Sequence, residues 1–369
     1  MKFSISRETL LRPLQQVAGV VERRQTLPIL SNILLRVEGS RLSMTGTDLE
    51  VEMVGQLNAS IELEGEVTVP ARKFVDICRE LPDNAEIDIT LKEDRLEIRS
   101  GRFRSNLSTL PAIDFPAVET SSADSQVSIQ AEIMKQLLDL TAFAMAQQDV
   151  RYFLNGMLVE QGFGAIRCVA TDGHRLASNY HQLGERTDEP ASQVIVPRKG
   201  VLELQRLLND CDEDVSLAFG ANHLRLSTGP FQLTTKLVDG RFPDYERVIP
   251  RNGDKQIVAN KQDLRRALNR TAILSNEKFR GIRVNFSDGL ITLSTNNPEQ
   301  EDAEETLPVD YAGTPLEIGF NVGYLLDVLN VIRGETVKIT VFDGNSSALI
   351  EDPAVENALY VIMPMRVST

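Results

Sequence analysis

Cysteine is scarce in this chain: Cys78, Cys168 and Cys211 are scattered along 369 residues. An odd, dispersed set supports no disulfide framework, which points to buried thiols in a reducing, cytoplasmic setting. Histidine is equally scarce, three in all, so metal chemistry has few ligands to draw on, and Cys168 with His174 is only a weak pair. No metal and no cofactor are expected. No apolar run approaches the roughly 18–20 residues of a membrane span. The start, Met1-Lys-Phe-Ser-Ile-Ser, lacks the apolar stretch of a secretory signal. The patterns GxxxxGK(S/T), GxGxxG and HExxH are all missing, so nucleotide hydrolysis and zinc hydrolysis have no support. Positive charge is also short. The net charge is −14, which as a bulk figure argues against nucleic acid.

What the chain does have is a threefold internal repeat. Thr47-Asp48-Leu49 returns as Thr171-Asp172-Gly173 and again as Thr295-Asn296-Asn297, 124 residues apart each time. A second landmark, Val69-Pro-Ala-Arg-Lys-Phe, returns at Val196-Pro-Arg-Lys and at Phe320-Asn-Val-Gly. A third, Leu110-Pro-Ala-Ile-Asp-Phe-Pro, returns as Leu237-Val-Asp-Gly-Arg-Phe-Pro. Landmarks recurring in one order mean tandem copies of one structural unit. Polar, turn-rich stretches near 120–127 and 250–255 read as linkers and divide the chain into 1–125, 126–252 and 253–369.

Each copy reads as two helices and roughly eight short strands, an α+β class. Ser6 can cap a helix through Leu10, Leu14 and Val17, with a start or kink at Pro13. Helical spacing recurs at 132–139, 198–208, 261–270 and 320–333, with a further helix at 72–80. Asn32–Val37 with Arg41–Thr45, and Gly281–Phe286 with Leu290–Leu293 across Ser287-Asp-Gly, read as hairpins. Thr171-Asp-Gly-His-Arg sets a carboxylate beside an imidazole, but no nucleophile accompanies them and the matching Asp48 and Asn296 have no histidine. The element is read as a turn and not as a catalytic site.

The six predicted helices, the first taken as 7–24, together carry +7, so the rest of the chain carries −21. Basic helices beside acidic strands suit a positive lining for a phosphate backbone, met weakly enough to slide. Arg23, Arg24, Arg72, Lys73, Lys199, Arg265 and Arg266 are the candidates. The alternative is a repeat-built protein-interaction scaffold that never touches DNA.

Seven segments carry a resemblance over all three copies: Thr26-Leu-Pro-Ile-Leu-Ser-Asn, Val69-Pro-Ala-Arg-Lys-Phe, Asp149-Val-Arg-Tyr-Phe-Leu-Asn-Gly-Met, Ala170-Thr-Asp-Gly-His-Arg-Leu-Ala, Lys236-Leu-Val-Asp-Gly-Arg-Phe-Pro-Asp-Tyr, Leu274-Ser-Asn-Glu-Lys-Phe-Arg-Gly and Tyr360-Val-Ile-Met-Pro-Met-Arg. With them the chain resembles the beta subunits of bacterial DNA polymerase III, the replicative sliding clamps. The resemblance implies three copies of the clamp fold, with helices lining a central hole and antiparallel sheets outside, in a homodimeric ring that encircles double-stranded DNA without reading its sequence. It implies no catalytic activity and no membrane association. Partners would be the polymerase III alpha subunit, clamp-loader subunits, other DNA polymerases and repair proteins, bound through short linear motifs.

The resemblance places DNA contacts at Arg24, Arg72, Lys73, Gln148, Tyr152, Phe153 and Lys199. The peptide pocket would use Leu154, Thr171, Gly173, His174, Arg175 and Leu176. It would be completed by Pro243, Arg247 and Val248 and by Val361, Ile362, Met363, Pro364 and Met365. Pro364 lacks an N–H and should end the last strand, and methionines suit varied partners. For ring closure, a basic edge (Arg95, Arg99, Arg102, Arg104, Leu107) faces an acidic one (Glu299, Glu301, Asp302, Glu304, Glu305) with apolar Ile273 and Leu274. Ser105 stands where relatives often carry phenylalanine, with Phe103 nearby.

Overall fold

A computed structural model describes residues 1–23, 26–118, 122–188 and 191–367. Arg24 and the tail residues Ser368 and Thr369 lie outside the described residues. The first repeat runs β1 (Lys2–Ser6), α1 (Arg7–Ala18), β2 (Asn32–Glu38), β3 (Arg41–Thr47), β4 (Val51–Asn58), β5 (Ser60–Leu63), β6 (Gly65–Pro70), α2 (Ala71–Glu80), β7 (Glu86–Lys92), β8 (Arg95–Ser100) and β9 (Phe103–Ser108). The second runs β10 (Ala123–Gln130), α3 (Ala131–Asp139), β11 (Gly156–Gly162), β12 (Ala165–Thr171), β13 (Arg175–Gln182), β14 (Ser192–Pro197), α4 (Arg198–Leu208), β15 (Asp214–Gly220), β16 (His223–Thr228) and β17 (Phe231–Lys236). The third runs β18 (Lys255–Asn260), α5 (Lys261–Ala272), β19 (Gly281–Ser287), β20 (Leu290–Asn296), β21 (Asp302–Pro308), β22 (Leu316–Asn321), α6 (Val322–Val331), β23 (Thr336–Val341), β24 (Ala348–Glu351) and β25 (Ala358–Ile362).

The contacts divide the chain into two compact units, 1–135 with 199–237 and 136–198 with 238–369. The cut falls inside the second repeat, and the sheets give the reason. Each repeat makes two four-stranded antiparallel sheets, and the first adds β5 at an edge. In the first unit, β4 pairs with β17, fusing one sheet from each of two repeats into the order β10-β15-β16-β17-β4-β3-β2-β6. A separate sheet has the order β5-β1-β7-β8-β9. In the second unit, β13 pairs with β25 and gives β14-β11-β12-β13-β25-β24-β23-β18, beside a sheet ordered β21-β20-β19-β22.

Alternation places one face of most strands in a core, whereas β5 buries none of its residues. In the first unit, α1 buries Leu10, Leu14 and Val17, and α2 buries Phe74, Val75 and Cys78. Arg206 of α4 donates to the Gln16 carbonyl at 2.8 Å and to its side chain at 2.9 Å, fastening α4 to α1. In the second unit, Leu264 and Leu268 of α5 and Leu325 and Leu329 of α6 close over Val284, Phe286, Phe320 and Ile350, leaving a void of only ≈ 20 Å³.

Four expectations need correction. Helix α1 runs through Pro13 and starts at Arg7, because Ser6 Oγ accepts from the Thr9 N–H at 3.2 Å and the apolar stripe holds it down. It ends at Ala18, so Arg23 lies beyond it. The stretch read as a linker is already strand β10 from Ala123, since its backbone pairs with β15 whatever its side chains. Cys211 is only half-buried, its Sγ 2.9 Å from Thr228 Oγ1, whereas Cys78 and Cys168 are buried. Burial pushes both of those thiols up to about 12.

Candidate functional site

The turn before β13 is built by its own side chains. Asp172 Oδ1 accepts from the His174 N–H at 2.9 Å and the Arg175 N–H at 3.0 Å, and Thr171 Oγ1 donates to the Arg175 carbonyl at 2.6 Å. Gly173 has φ 87°, a left-handed conformation that favours glycine. The first repeat makes the same turn: Asp48 Oδ1 accepts from Glu50 and Val51, and Thr47 Oγ1 donates to the Val51 carbonyl. Asp172 is thereby spent on capping N–H groups and on Arg175, which is the work of a turn. In the third repeat Thr295 Oγ1 donates instead to the Gly281 carbonyl, and a longer loop follows, closed by Asn297 with Glu301.

Around this turn, within the second unit, lies an apolar floor. Leu176 of β13 and Val361 of β25 are cross-strand partners. They join Leu158, Val169, Ile195, Phe242 and Tyr245 in one buried cluster, with Val248 and Leu349 packed partly against it. Tyr245 donates to Glu160 Oε1 at 3.2 Å, and burial raises its hydroxyl pKa. Leu154 is buried in the turn that follows Arg151. Pro243 and Arg247 are exposed on the covering segment, Arg247 paired with Asp244 at 2.8 Å.

Strand β25 stops at Ile362, and the Met363 N–H still bonds the His174 carbonyl at 2.9 Å. Past Pro364 the chain crosses to another sheet: the Met365 N–H bonds the Gly319 carbonyl at 2.8 Å, and Val367 lies 3.3 Å from where a Gly281 Cβ would stand. The structure therefore brings Leu176, Val361 and Val248 to one cluster, borders them with His174 and Met363, and seats Met365 at the mouth of a separate cleft of ≈ 410 Å³ with Phe279 and Asn297.

Several residues at the site were not among the candidates. Arg151 holds Asp149 with two side-chain bonds (3.0 and 2.9 Å) and donates to the Asp172 carbonyl at 3.2 Å. Arg175 bonds Asp172, Asp327 and the Phe143 carbonyl, and its guanidinium lies 4.6 Å from the Tyr324 ring centroid. His174 stacks on the same ring at 6.3 Å. Arg151 stood in the Asp149-Val-Arg segment and could have been found there. Phe143, Tyr324 and Asp327 carried no local signal.

The basic candidates separate on inspection. Arg72 and Lys73 are exposed on α2, as are Arg265 and Arg266 on α5. Lys199 is not open: its ammonium bonds Glu22 at 2.6 Å and also Asp48. Gln148 and Tyr152 are exposed and Phe153 is half-buried, its ring 5.8 Å from that of Tyr152. On β8 and β9, Glu97 is almost wholly buried and draws in Lys92 (2.8 Å), Arg99 (3.1 Å) and Arg104 (2.7 Å). The Lys92 hydrogen bond, then Arg104 and Arg99, hold its carboxyl below the usual range. Arg95 and Arg102 are exposed, Leu107 is buried, and Phe103 is 42% exposed. On the other edge Ile273 is 76% exposed and Leu274 half-buried, while Glu299, Glu301, Asp302 and Glu304 are exposed and Glu305 pairs with Arg270. Among the described residues no group of three potential ligands could hold a metal ion, and no helix is long and apolar enough to cross a membrane.

Family models match in three consecutive blocks: the DNA polymerase III beta subunit N-terminal domain over residues 1–119, its central domain over 128–244 and its C-terminal domain over 246–366. The chain belongs to the DNA polymerase III beta-subunit family. It is 57% identical over 367 residues to the beta sliding clamp of Pseudomonas aeruginosa, covering 99% of this chain and 100% of that one. It is 52% identical over the same length to the beta sliding clamp of Escherichia coli K12, with the same coverage. The crystal structure of the Pseudomonas aeruginosa DNA polymerase III subunit beta superposes with a TM-score of 0.97 at 56% identity, covering 100% of both chains. The Caulobacter crescentus pol III beta structure superposes at 0.93 and 41% identity, also covering 100% of both. A further Pseudomonas aeruginosa clamp structure, with a TM-score of 0.95 at 56% identity and 100% coverage of both chains, is bound to griselimycin. Membership of this family makes the fold three tandem clamp modules of the α+β class.

Proposed function

We propose that this chain is a non-catalytic DNA sliding clamp: two copies close head to tail into a cytoplasmic ring of six modules that surrounds duplex DNA and tethers the replicative polymerase. The observation that carries this is two sheet edges, among the eight that the described strands leave, which stand where the joints between repeats would continue. Successive repeats join by pairing the last strand of one sheet with the third strand of another, β17 with β4 and β25 with β13. The same rule leaves β9 of the first repeat and β21 of the third as edges within one chain. An unpaired edge is a ready template for another chain, and a contact between unlike edges of identical chains closes into a ring when the rotation allows. The edges would be complementary: exposed Arg95 and Arg102 with Phe103 on one, exposed Glu299, Glu301 and Asp302 with Ile273 and half-buried Leu274 on the other, whereas Arg104 and Glu305 are already engaged by Glu97 and Arg270 and Leu107 is buried, so they would add less. The same proposal keeps a module boundary near 252 and moves the one expected near 125 to before Ala123, where strand β10 begins.

DNA would be met through its phosphates, without base reading, by Arg24, Arg72, Lys73, Gln148, Tyr152 and Phe153, with Lys199 contributing less because Glu22 and Asp48 already engage its ammonium. The cluster around Leu176, Val248 and Val361, bordered by His174 and Met363, would take apolar anchors of linear motifs from the polymerase III alpha subunit, clamp-loader subunits, other polymerases and repair proteins. The test is topological. Loaded on closed circular DNA the protein should stay bound, and it should be released when the circle is cut. Retention that does not change on cutting, or no binding to either form, would leave only a protein-interaction scaffold.

A further inference from the structure

The two joints between repeats are built alike, yet the cross-strand row is apolar in one and polar in the other. In the first joint the Lys236 N–H donates to the Glu50 carbonyl at 2.8 Å; in the second the Met363 N–H donates to the His174 carbonyl at 2.9 Å. The preceding turns share their aspartate and threonine bonds, with Leu49 (φ 80°) where Gly173 (φ 87°) stands. This register aligns Glu52 with Leu176, Thr234 with Val361 and Arg225 with Leu349. Each set is a continuous cross-strand row. Glu52 lies opposite Thr234, which lies opposite Arg225. Leu176 lies opposite Val361, which lies opposite Leu349.

The row that is apolar in one joint is polar in the other. Arg225 Nε donates to Thr234 Oγ1 at 3.2 Å, and the Val118 N–H reaches Glu52 Oε2 at 3.4 Å. Burial pushes the Glu52 carboxyl up against the opposing pull of the Val118 N–H and the Arg225 charge, so this carboxylate already sits under cover. A leucine or phenylalanine side chain laid on it would strip away more water and gain no apolar floor. Leu49 also carries a side chain where Gly173 leaves bare backbone.

We propose that Glu52, Thr234 and Arg225 are specificity-determining residues that close the first joint to apolar linear motifs, so that a fold holding two copies of the framework offers one peptide site per chain. This rests on the peptide-binding reading above. It uses the rule that a site discriminates as much by what it makes unfavourable as by what it attracts.

The experiment counts a synthetic peptide with leucine and phenylalanine anchors bound per full-length chain, by native mass spectrometry and titration calorimetry. The wild type should bind one, and Leu176→Glu should weaken that binding at least tenfold. Adding Glu52→Leu, Thr234→Val and Arg225→Leu to Leu176→Glu should restore one bound peptide, now at the first joint. A wild type that binds none overturns the peptide-binding reading itself. A wild type that binds two, or a folded quadruple variant that binds none, overturns the specificity assignment alone. Should the quadruple variant fail to fold, the reciprocal chain decides. Val361→Thr with Leu349→Arg, compared as a folded chain by circular dichroism, should lose at least tenfold in affinity, and full affinity there overturns the assignment.

Discussion

Arg175 donates to the Asp327 carboxylate, bonding the turn before β13 to helix α6 across 152 residues of sequence. The same guanidinium holds Asp172 at 3.2 Å and the Phe143 carbonyl at 3.0 Å. The wall that carries His174 is thus fixed from three sides. Replacing Asp327 by alanine leaves Arg175 with Asp172 as its one carboxylate. Asp327 is about half exposed, so the loss should be modest, ~0.5–1 kcal/mol, or about two- to fivefold in peptide affinity. Titration calorimetry of Asp327→Ala against wild type checks this, and equal affinities would remove the bond from the binding machinery.

Asp149 gives the site a pH dependence. Arg151 holds it by side-chain and backbone hydrogen bonds, so its carboxyl pKa falls to about 2. A carboxyl pKa lowered by folding contributes stability above the unfolded value, ~3.9, and loses it as pH falls through the folded value. The melting temperature of Asp149→Asn should therefore lie below that of wild type above about pH 4, and the gap should close towards pH 2. Thermal scans across that range decide it; a constant gap would mean the contact is not electrostatic.

Charge reversal should separate the DNA surface from the peptide surface. Arg72 and Arg266 are exposed, whereas Lys199 is engaged by Glu22 and Asp48. The double variant Arg72→Glu/Arg266→Glu should weaken DNA retention and flatten its salt dependence, because fewer counterions are released. Lys199→Ala should do so far less. Peptide affinity should not move in either. Retention assays at several salt concentrations measure the first, and calorimetry the second.

Ring closure should fail from either edge. Ile273→Asp places a charge where an apolar side chain is 76% exposed, and Arg102→Glu reverses the sign of the opposite edge. Sedimentation at low concentration should show monomer for each and dimer for wild type. An undisturbed dimer in both would move the interface elsewhere.

Much of the fold was legible because its signals are local. The period of Leu10, Leu14 and Val17, the cap at Ser6 and the Asp288-Gly289 hairpin each lie within a few residues of what they specify. The threefold landmarks made the tandem modules visible. The reading went astray where partners are remote. Ala123–Ser125 looks like a linker and is a strand because β15 supplies its hydrogen bonds. Lys199 reads as a free cation until Glu22 and Asp48 close on it. Phe143, Tyr324 and Asp327 join the site through Arg175, and Tyr324 also through His174.

By itself, then, the amino-acid order determined three modules of one kind, their helices and hairpins, the sparseness of metal ligands and the basic bias of the helices. Three-dimensional folding alone decided which sheet edges fuse, which cations are already neutralised, and which of two equivalent joints has an apolar floor. The reason is that turns and helices are specified by neighbours in sequence. The edge pairs β4 with β17 and β13 with β25, and the ion pairs Lys199–Asp48 and Arg175–Asp327, join residues more than a hundred positions apart, and no local pattern encodes them.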